Sequence, residues 1–306
     1  MENKLNVTFI TLGGYVELEK YRYVYFVLLF IVYILIICSN YVIVYLICIH
    51  QNLHEPMYIF IAALLLNSVL FSSTVYPKLL TDILSDKRRI SYSACLFQFH
   101  VFYSFGSSEF LLLAAMSYDR YVSICKPLRY PTIMTKTNVT LFLVSAWILP
   151  APQMAVTTSL SANQKLCRFT SEGVFCDNTI YKLQCVERKA HIIVDMLILL
   201  NVAVIPVLFI LFTYTRIFLI TYRSGREVRK KAAQTCLPHL IVLFNFSCLC
   251  VYDVLTAQLN LDFPKTIRLI MSLQMVMYQP LFNPIMYGLQ MKEIYKHLKK
   301  LFGKTQ

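Results

Sequence analysis

The sequence predicts an all-α membrane protein: a seven-transmembrane helix bundle with a short C-terminal amphipathic surface helix. The 306 residues are 58% hydrophobic and only 15% charged, whereas a soluble domain is about one quarter charged. Seven stretches are nearly free of charge and reach the roughly 20 residues that a helix needs to cross a hydrocarbon core. In the tail, charged residues alternate with apolar ones at helical spacing.

The seven stretches follow one another with no room for a separate soluble domain. They run near 23–49, 57–80, 92–118, 138–160, 191–215, 234–258 and 266–289. We therefore predict an N-terminal segment over 1–22, a seven-helix domain over 23–289 and a tail over 290–306. The first segment lacks a basic start followed by a short apolar run, so no cleaved signal peptide is predicted. For the tail, a plain solvated segment is the alternative to a surface helix.

The orientation depends on modification sites, because Lys and Arg are nearly equally divided between the two sets of loops. Asn6-Val7-Thr8 is an N-glycosylation triplet, and Cys95, Cys167, Cys176 and Cys185 lie toward the same face. Glycosylation and disulfides both form on the lumenal side of the membrane. We predict a multi-pass plasma-membrane protein with an extracellular N-terminus, glycosylated at Asn6, and a cytoplasmic C-terminus.

Other classes of protein lack support in the sequence. No zinc-ligand spacing, Gly-rich phosphate loop or nucleophile-elbow pattern occurs, so we predict no enzyme, no catalytic residue, no metal and no cofactor. A transporter would show inverted repeats or several facing intramembrane charges, and the sequence shows neither. A net charge of +13 in so apolar a chain favours contact with anionic membrane lipids, and no nucleic-acid partner is predicted.

Asp119 and Arg120 close the third predicted span. Cys95 lies 25 residues earlier, which is about 37 Å along one helix, so the two sites lie at opposite ends of the membrane. At the inner end, Asp119 can neutralise Arg120 in one packing state and release it in another, which makes a switch that a ligand can bias. An arginine that only snorkels to the boundary is the alternative.

Several segments resemble olfactory receptors of the rhodopsin-like class of G-protein-coupled receptors. Residues 116–128 read MSYDRYVSICKPL and resemble the family's MAYDRYVAICKPL. Residues 56–58, 231–240 and 280–287 resemble its PMY, KAFSTCASHL and PLLNPIIY segments in the same order. Residues 59–68 resemble fish odorant receptors. The chain departs from the class in helix two, where Ser68 replaces the usual acid, and in helix six, where FSC replaces Phe-Tyr-Gly.

The resemblance implies an odorant receptor that binds a small-molecule odorant and activates a stimulatory, olfactory-type G protein, which raises cyclic AMP. A receptor of the same class for an internal ligand is the alternative. The resemblance also implies switch and coupling roles for Asp119, Arg120, Tyr121, Tyr214, Asn283, Pro284 and Tyr287.

A ligand pocket is expected in the outer half of the bundle. The inward face of helix three offers Phe102, Tyr103, Gly106 and Ser107. By resemblance, the opposite walls are Ile198, Leu199, Val202, Cys250, Val251, Val254, Leu273 and Val276. Phe102 stands where amine receptors of the class carry an acid, which disfavours a cationic amine held at that position. Asp195 and Asp253 either meet a polar or charged odorant or lie at a water-exposed rim.

Glu109 lies deep in helix three, where an acid is costly. It forms an ion or water site with Asn67, Ser68 and Asn283, or it is a protonated acid hydrogen-bonded within the bundle.

The loop after span four resembles the three-cysteine loop of the family. The resemblance implies the disulfides Cys95–Cys176 and Cys167–Cys185, whereas the sequence itself allows three pairings of these cysteines.

Overall fold

The computed structural model describes residues 8–16, 18–185, 189–222, 225–258 and 263–303. Within them, long helices pack into a bundle with one small sheet at one end. The predicted glycosylation residue Asn6 lies outside the described residues. We call the end of the bundle that carries the Cys95–Cys176 disulfide the disulfide end, and the opposite end, which carries Arg120, the Arg120 end.

The described helices account for all seven predicted spans. They are α1 (Leu18–Ile49), α2 (Pro56–Ser73), α3 (Tyr76–Leu84), α4 (Tyr92–Cys125), α5 (Tyr130–Ile133), α6 (Lys136–Ile148), α7 (Pro150–Ala162), α8 (Lys189–Leu199), α9 (Ile205–Tyr222), α10 (Arg226–Gln258), α11 (Lys265–Gln290) and α12 (Lys292–Gly303). In the described part of the chain, five stretches are long and apolar enough to cross a membrane: 20–49, 56–84, 136–162, 192–222 and 239–256. The other two spans, α4 and α11, carry polar side chains such as Glu109 and Asn283, which are buried within the bundle.

Three predicted spans are interrupted near prolines. The span predicted over 57–80 is two helices, because the chain leaves helical hydrogen bonding around Thr74 and Val75 and Pro77 then occupies the first turn of α3. Pro150 begins α7 in the same way. A π-helical turn, Leu200–Val204, precedes Pro206 in α9. Proline lacks the N–H that continues a helix but is tolerated in the first turn.

A three-stranded sheet covers the disulfide end. Its strands are β1 (Phe9–Leu12), β2 (Arg89–Ser91) and β3 (Thr170–Ser171), in the order β2-β1-β3. β1 is antiparallel to β2 and parallel to β3, so the N-terminal segment is held between two loops of the bundle. Ile10 and Leu12 are buried beneath it. A Cβ atom on Gly14 would lie 2.5 Å from the backbone oxygen of Glu172, so only glycine fits this close approach.

The tail helix α12 is amphipathic, as the spacing of its apolar residues predicts. Ile294 is fully buried, whereas Lys292, Lys296, Lys299 and Lys300 are exposed. Leu298 lies close to Gly288 of α11, which fixes the helix against the Arg120 end of the bundle. The apolar face of α12 therefore packs on the bundle, and its lysines face outward.

Candidate functional site

A cavity of about 120 Å³ lies inside the bundle between its centre and the disulfide end. Its walls come from α2, α4, α7, α8, the π-helical turn before α9, α10 and α11, with Asn178 and Tyr181 of the loop after α7 above it. Apolar cavities of about 150 Å³ hold a molecule the size of benzene, so this space suits a compact organic ligand.

Nine of the twelve residues predicted to contact ligand line this cavity. They are Phe102, Tyr103, Gly106, Ser107, Ile198, Leu199, Val202, Cys250 and Val254. Cys250 and Val254 are four residues apart and therefore share one face of α10.

The other three residues lie elsewhere, which corrects their predicted position. Val251 is 56% exposed on the outside of α10, because one residue turns the side chain by about 100° from Cys250. Leu273 borders a separate small cavity with Tyr15. Val276 is fully buried in an apolar cluster next to the main cavity. From α11, Met275 lines the main cavity instead.

Aromatic residues that the sequence analysis did not select form the floor and roof of the cavity. Phe110 of α4 and Phe246 of α10 pack at a ring-centroid distance of 4.8 Å in the floor. In the roof, Phe99 lies 4.5 Å from Tyr103 and 5.8 Å from Tyr181. Helical spacing from Phe102 and Gly106 would have found Phe99 and Phe110, but their aromatic character alone indicates only core packing.

Two carboxylates line the cavity. Asp253 of α10 accepts hydrogen bonds through Oδ2 from the Tyr103 hydroxyl at 2.9 Å and from Asn178 Nδ2 at 2.7 Å. Asp195 of α8 accepts through Oδ1 from Thr157 at 3.2 Å and from Tyr181 at 3.4 Å. Both acids therefore line the cavity.

The loop after α7 is fixed across the cavity by covalent and polar contacts. Cys95 of α4 forms a disulfide with Cys176, and Cys167 forms one with Cys185. Gln98 Oε1 accepts from the backbone N–H of Cys176 at 3.1 Å. These contacts hold Phe175 against Phe102, so the loop closes the cavity from the disulfide end.

Asp177 starts the short 3-10 helix of this loop by accepting a hydrogen bond from the backbone N–H of Thr179 at 2.9 Å. Burial raises the pKa of the Asp177 carboxyl, and the hydrogen bonds from Thr179 and the charge of Lys182 oppose this effect only in part. The charged form of Asp177 is therefore held in the folded loop at some cost in stability.

A small vestibule adjoins the cavity on the side of α11, and Asp253 borders both spaces. The vestibule contains two basic residues, Arg268 and Lys182, and both form ion pairs with Glu172. These pairs tie α11 to the loop.

Glu109 sits in a buried polar cluster below the cavity. Its Oε1 accepts from Gln279 Nε2 at 2.9 Å and from Asn283 Nδ2 at 2.8 Å, while its Oε2 accepts from Asn67 Nδ2 at 2.9 Å. Ser68 Oγ accepts from Asn283 Nδ2 at 2.9 Å and, among the described residues, forms no hydrogen bond to the carboxyl group, so Ser68 joins the cluster through Asn283. Donors on both oxygens suit a carboxylate, which only accepts.

Asp119 and Arg120 form an ion pair at the other end of α4. Arg120 Nε donates to Asp119 Oδ2 at 2.9 Å, and Nη2 donates to the same oxygen. The second oxygen of Asp119 accepts from the Tyr130 hydroxyl at 2.8 Å. Tyr121 lies beside the pair in sequence, and its ring stacks under Lys126 Nζ. Tyr130 was not selected from the sequence, because α5 is a four-residue helix without an apolar period.

Two of the predicted switch residues, Tyr214 and Tyr287, meet around His239 of α10. Tyr214 of α9 lies 6.5 Å from the His239 ring and Tyr287 of α11 lies 5.4 Å from it, between ring centroids. All three side chains are buried, and their polar atoms form no hydrogen bond within the described part of the chain. Polar groups are costly to bury without a partner.

Pro284 frees a backbone oxygen in α11, because it has no N–H to donate to the carbonyl of Pro280 four residues earlier. Asn40 Nδ2 of α1 donates to that oxygen at 2.8 Å. The weakened turn of α11 is thereby fixed to α1 directly next to Asn283.

Comparison with known proteins covers almost the whole chain. A family model described as "Olfactory receptor" matches residues 29–305. The chain is similar to the human protein olfactory receptor 6N1, with 32% identity over 292 residues, 94% of this chain and 92% of that protein. It is similar to human olfactory receptor 2T27, with 31% identity over 97% of this chain and 93% of that protein. Human olfactory receptor 10K1 is 32% identical over 99% of this chain and 97% of that protein.

Proposed function

The chain belongs to the olfactory receptor family of G-protein-coupled receptors, and on that premise we propose that it binds a small odorant in the cavity between α4 and α10 and activates a stimulatory G protein. Cyclic AMP is then the second messenger. The observation that carries this proposal is the mostly apolar cavity within the bundle, which nine of the residues selected from sequence line.

The proposed topology follows from the same contacts. The disulfide end is extracellular, because Cys95–Cys176 and Cys167–Cys185 need an oxidising compartment. The segment 1–22 is then extracellular, 23–289 forms the receptor domain and 290–306 is the cytoplasmic tail. Helix α12 rests on the plasma membrane, where its exposed lysines meet anionic lipid.

Ligand entry is coupled to the Arg120 end through α10. Phe246 lies in the floor of the cavity, and His239 lies seven residues, about two turns, further along the same helix. A ligand that presses on Phe246 therefore favours a different placement of His239 relative to Tyr214 and Tyr287. The buried polar atoms of these residues can pair in that second state.

The Asp119–Arg120 pair is the element that changes partner. In the present arrangement Arg120 is neutralised by Asp119, and Tyr130 holds the second carboxylate oxygen. Release of Arg120 makes its charge available to the G protein. The polar cluster around Glu109 links α2, α4 and α11 between the cavity and the Asp119–Arg120 pair. The cluster fits a small cation or a water molecule, because Gln279 Oε1 and Asn283 Oδ1 are buried acceptors without a hydrogen bond in the described residues.

A cyclic AMP reporter assay tests the proposal. Cells that display the chain at the surface are screened against volatile and water-soluble odorants, with and without the stimulatory G-protein α-subunit. We expect at least one odorant to raise cyclic AMP only when that subunit is present.

Arg120→Ala is expected to abolish the response without loss of surface display, and Lys20→Ala, an exposed basic residue at the disulfide end, is the matched control. An intact response in Arg120→Ala contradicts the proposed switch. A wild-type response that survives without the stimulatory subunit contradicts the proposed G protein.

A further inference from the structure

The described lining of the cavity contains the acid Asp253 and no Lys, Arg or His. The wall around it is largely apolar, so the Asp253 carboxylate faces a space with little to offset its charge. A ligand that carries positive charge would offset it.

Asp253 has one oxygen available for such a ligand. Tyr103 and Asn178 both donate to Oδ2, and no described residue donates to Oδ1. Both donors are neutral, so they orient the carboxylate without cancelling its charge. The side chain is held in place before a ligand arrives, which reduces the cost of binding.

The surroundings of Asp253 also suit a cation. Phe99, Tyr103 and Tyr181 form a contiguous aromatic surface in the roof of the cavity. Aromatic faces attract ammonium groups within about 6 Å of the ring centroid. A carboxylate next to several rings is an arrangement that holds a protonated amine by both its charge and its C–H groups.

The vestibule next to the cavity also carries more acids than bases among its described lining residues. The two basic residues, Lys182 and Arg268, share the single acid Glu172, and Asp177 and Asp253 have no basic partner within 4 Å among the described residues. With two bases against three acids, the vestibule has a formal charge of minus one, which favours approach of cations over anions.

From these contacts, and resting on the proposed odorant-receptor function, we propose that the ligand is a small organic cation, a protonated primary amine with a compact apolar body, whose ammonium group pairs with Asp253. The apolar body lies against Phe110, Val202 and Phe246 deeper in the cavity. Phe102 carries no charge, so α4 offers the cation no ion-pair partner at that position. The partner is Asp253 of α10 instead. The volume of about 120 Å³ limits the body to about one six-membered ring.

The test uses three ring compounds that differ mainly in charge: cyclohexylamine, cyclohexanol and cyclohexanecarboxylate. Binding is measured as the rise in the Tm of the detergent-purified full chain, and signalling is measured as cyclic AMP in cells. We expect the amine to raise the Tm most and the carboxylate least, because a ligand that binds only the folded state stabilises it.

Asp253→Asn keeps the shape and both hydrogen bonds at the former Oδ2 but removes the charge. We expect it to weaken amine binding about 30-fold or more, since it breaks a desolvated ion pair, while binding of cyclohexanol is unchanged or improved. Asp86→Asn, whose side chain is 86% exposed at the same end of the molecule, is the matched control and should bind the amine as wild type does.

The two levels of the proposal fail in different ways. If the amine raises the Tm through Asp253 but never raises cyclic AMP, the ligand class stands and the proposed signalling fails. If cyclohexanol stabilises and activates the wild-type chain as well as the amine does, the odorant-receptor function stands and the cation proposal is overturned. The cation proposal is also overturned if the amine raises the Tm no more than cyclohexanol does. It is likewise overturned if the response to the amine is unchanged in Asp253→Asn.

Discussion

Replacement of Glu109 by glutamine should destabilise the bundle by a predictable amount. The carboxylate accepts three amide N–H donors, two at Oε1 and one at Oε2. A glutamine that keeps the two donors at its oxygen places its own NH₂ group against Asn67 Nδ2. Asn67 cannot turn over to resolve this, because its Nδ2 also donates to the carbonyl of Phe105 at 3.0 Å and its Oδ1 accepts from Trp147 at 3.2 Å.

At least one buried donor therefore loses its acceptor, which costs about 1–3 kcal/mol. At about 2 °C per kcal/mol, the lower end for large domains, Glu109→Gln should lower the Tm by about 2–6 °C. Glu109→Leu removes the shared acceptor of three N–H groups and should lower the Tm further. The measurement is thermal unfolding of the purified full chain in detergent.

The control is Glu55→Gln, because Glu55 is exposed between α1 and α2 and its side chain does not cap α2. Its Tm should match the wild-type value. If Glu109→Gln also unfolds within about 1 °C of wild type, the three amide donors do not depend on a carboxylate and the deduced network is wrong.

Three further changes test other contacts. Burial raises the pKa of the Asp177 carboxyl, so the folded state binds a proton there more tightly than the unfolded chain does and gains stability as the pH falls. Asp177→Asn should therefore raise the Tm at pH 7.5. This gain in Tm should shrink as the pH falls toward the ordinary aspartate pKa of about 4. A gain that grows at low pH would contradict this sign. Gly14→Ala should lower the Tm and surface display because its Cβ meets the Glu172 backbone, whereas Gly303→Ala, which has no neighbour within 4 Å, should change neither. Tyr130→Phe removes one hydrogen bond to Asp119, worth about 1 kcal/mol, and should raise basal cyclic AMP up to about fivefold; the exposed Tyr295→Phe is its control, and unchanged basal activity in Tyr130→Phe would show that this bond does not restrain the switch.

Much of the fold could be predicted because lipid imposes a simple rule on the chain. An apolar stretch of about 20 residues must be a helix, since every backbone polar group has to be satisfied within it. The ends of the helices were less accurate where the chain leaves the membrane. Asp119 suggested that the third span ends at 118, yet α4 continues to Cys125, and α10 begins at Arg226 although the apolar stretch starts at 234. Charged residues end the apolar pattern but not the helix.

The sheet could not be predicted for a different reason. Its strands are two to four residues long and join the N-terminal segment to two loops that are distant in sequence. No local period marks such short strands, and their pairing depends on the position of the loops after the helices have packed. Gly14 gives a signal only after the neighbouring backbone of Glu172 is known.

The candidate site could be predicted where one helix defines it. Phe102, Tyr103, Gly106 and Ser107 lie on one face of α4 and all line the cavity. On α10 the rotation of the helix was not known from sequence, so Val251 was selected together with its inward-facing neighbours. Asp253 was recognised as an acid near the outer end of its span, but its contact with Tyr103 joins residues 150 positions apart and required the packed structure.

The central claim is that the cavity beside α10 receives the odorant, and a pair of valines tests it most directly. Val254 lines the cavity, whereas Val251 is 56% exposed on the outer surface of the same helix. Each is replaced by phenylalanine, and the cyclic AMP response to an activating odorant is measured at equal surface display. Val254→Phe should fill the space and raise the half-maximal concentration at least about tenfold, while Val251→Phe should respond as wild type does. An unchanged response in Val254→Phe would show that the odorant binds elsewhere.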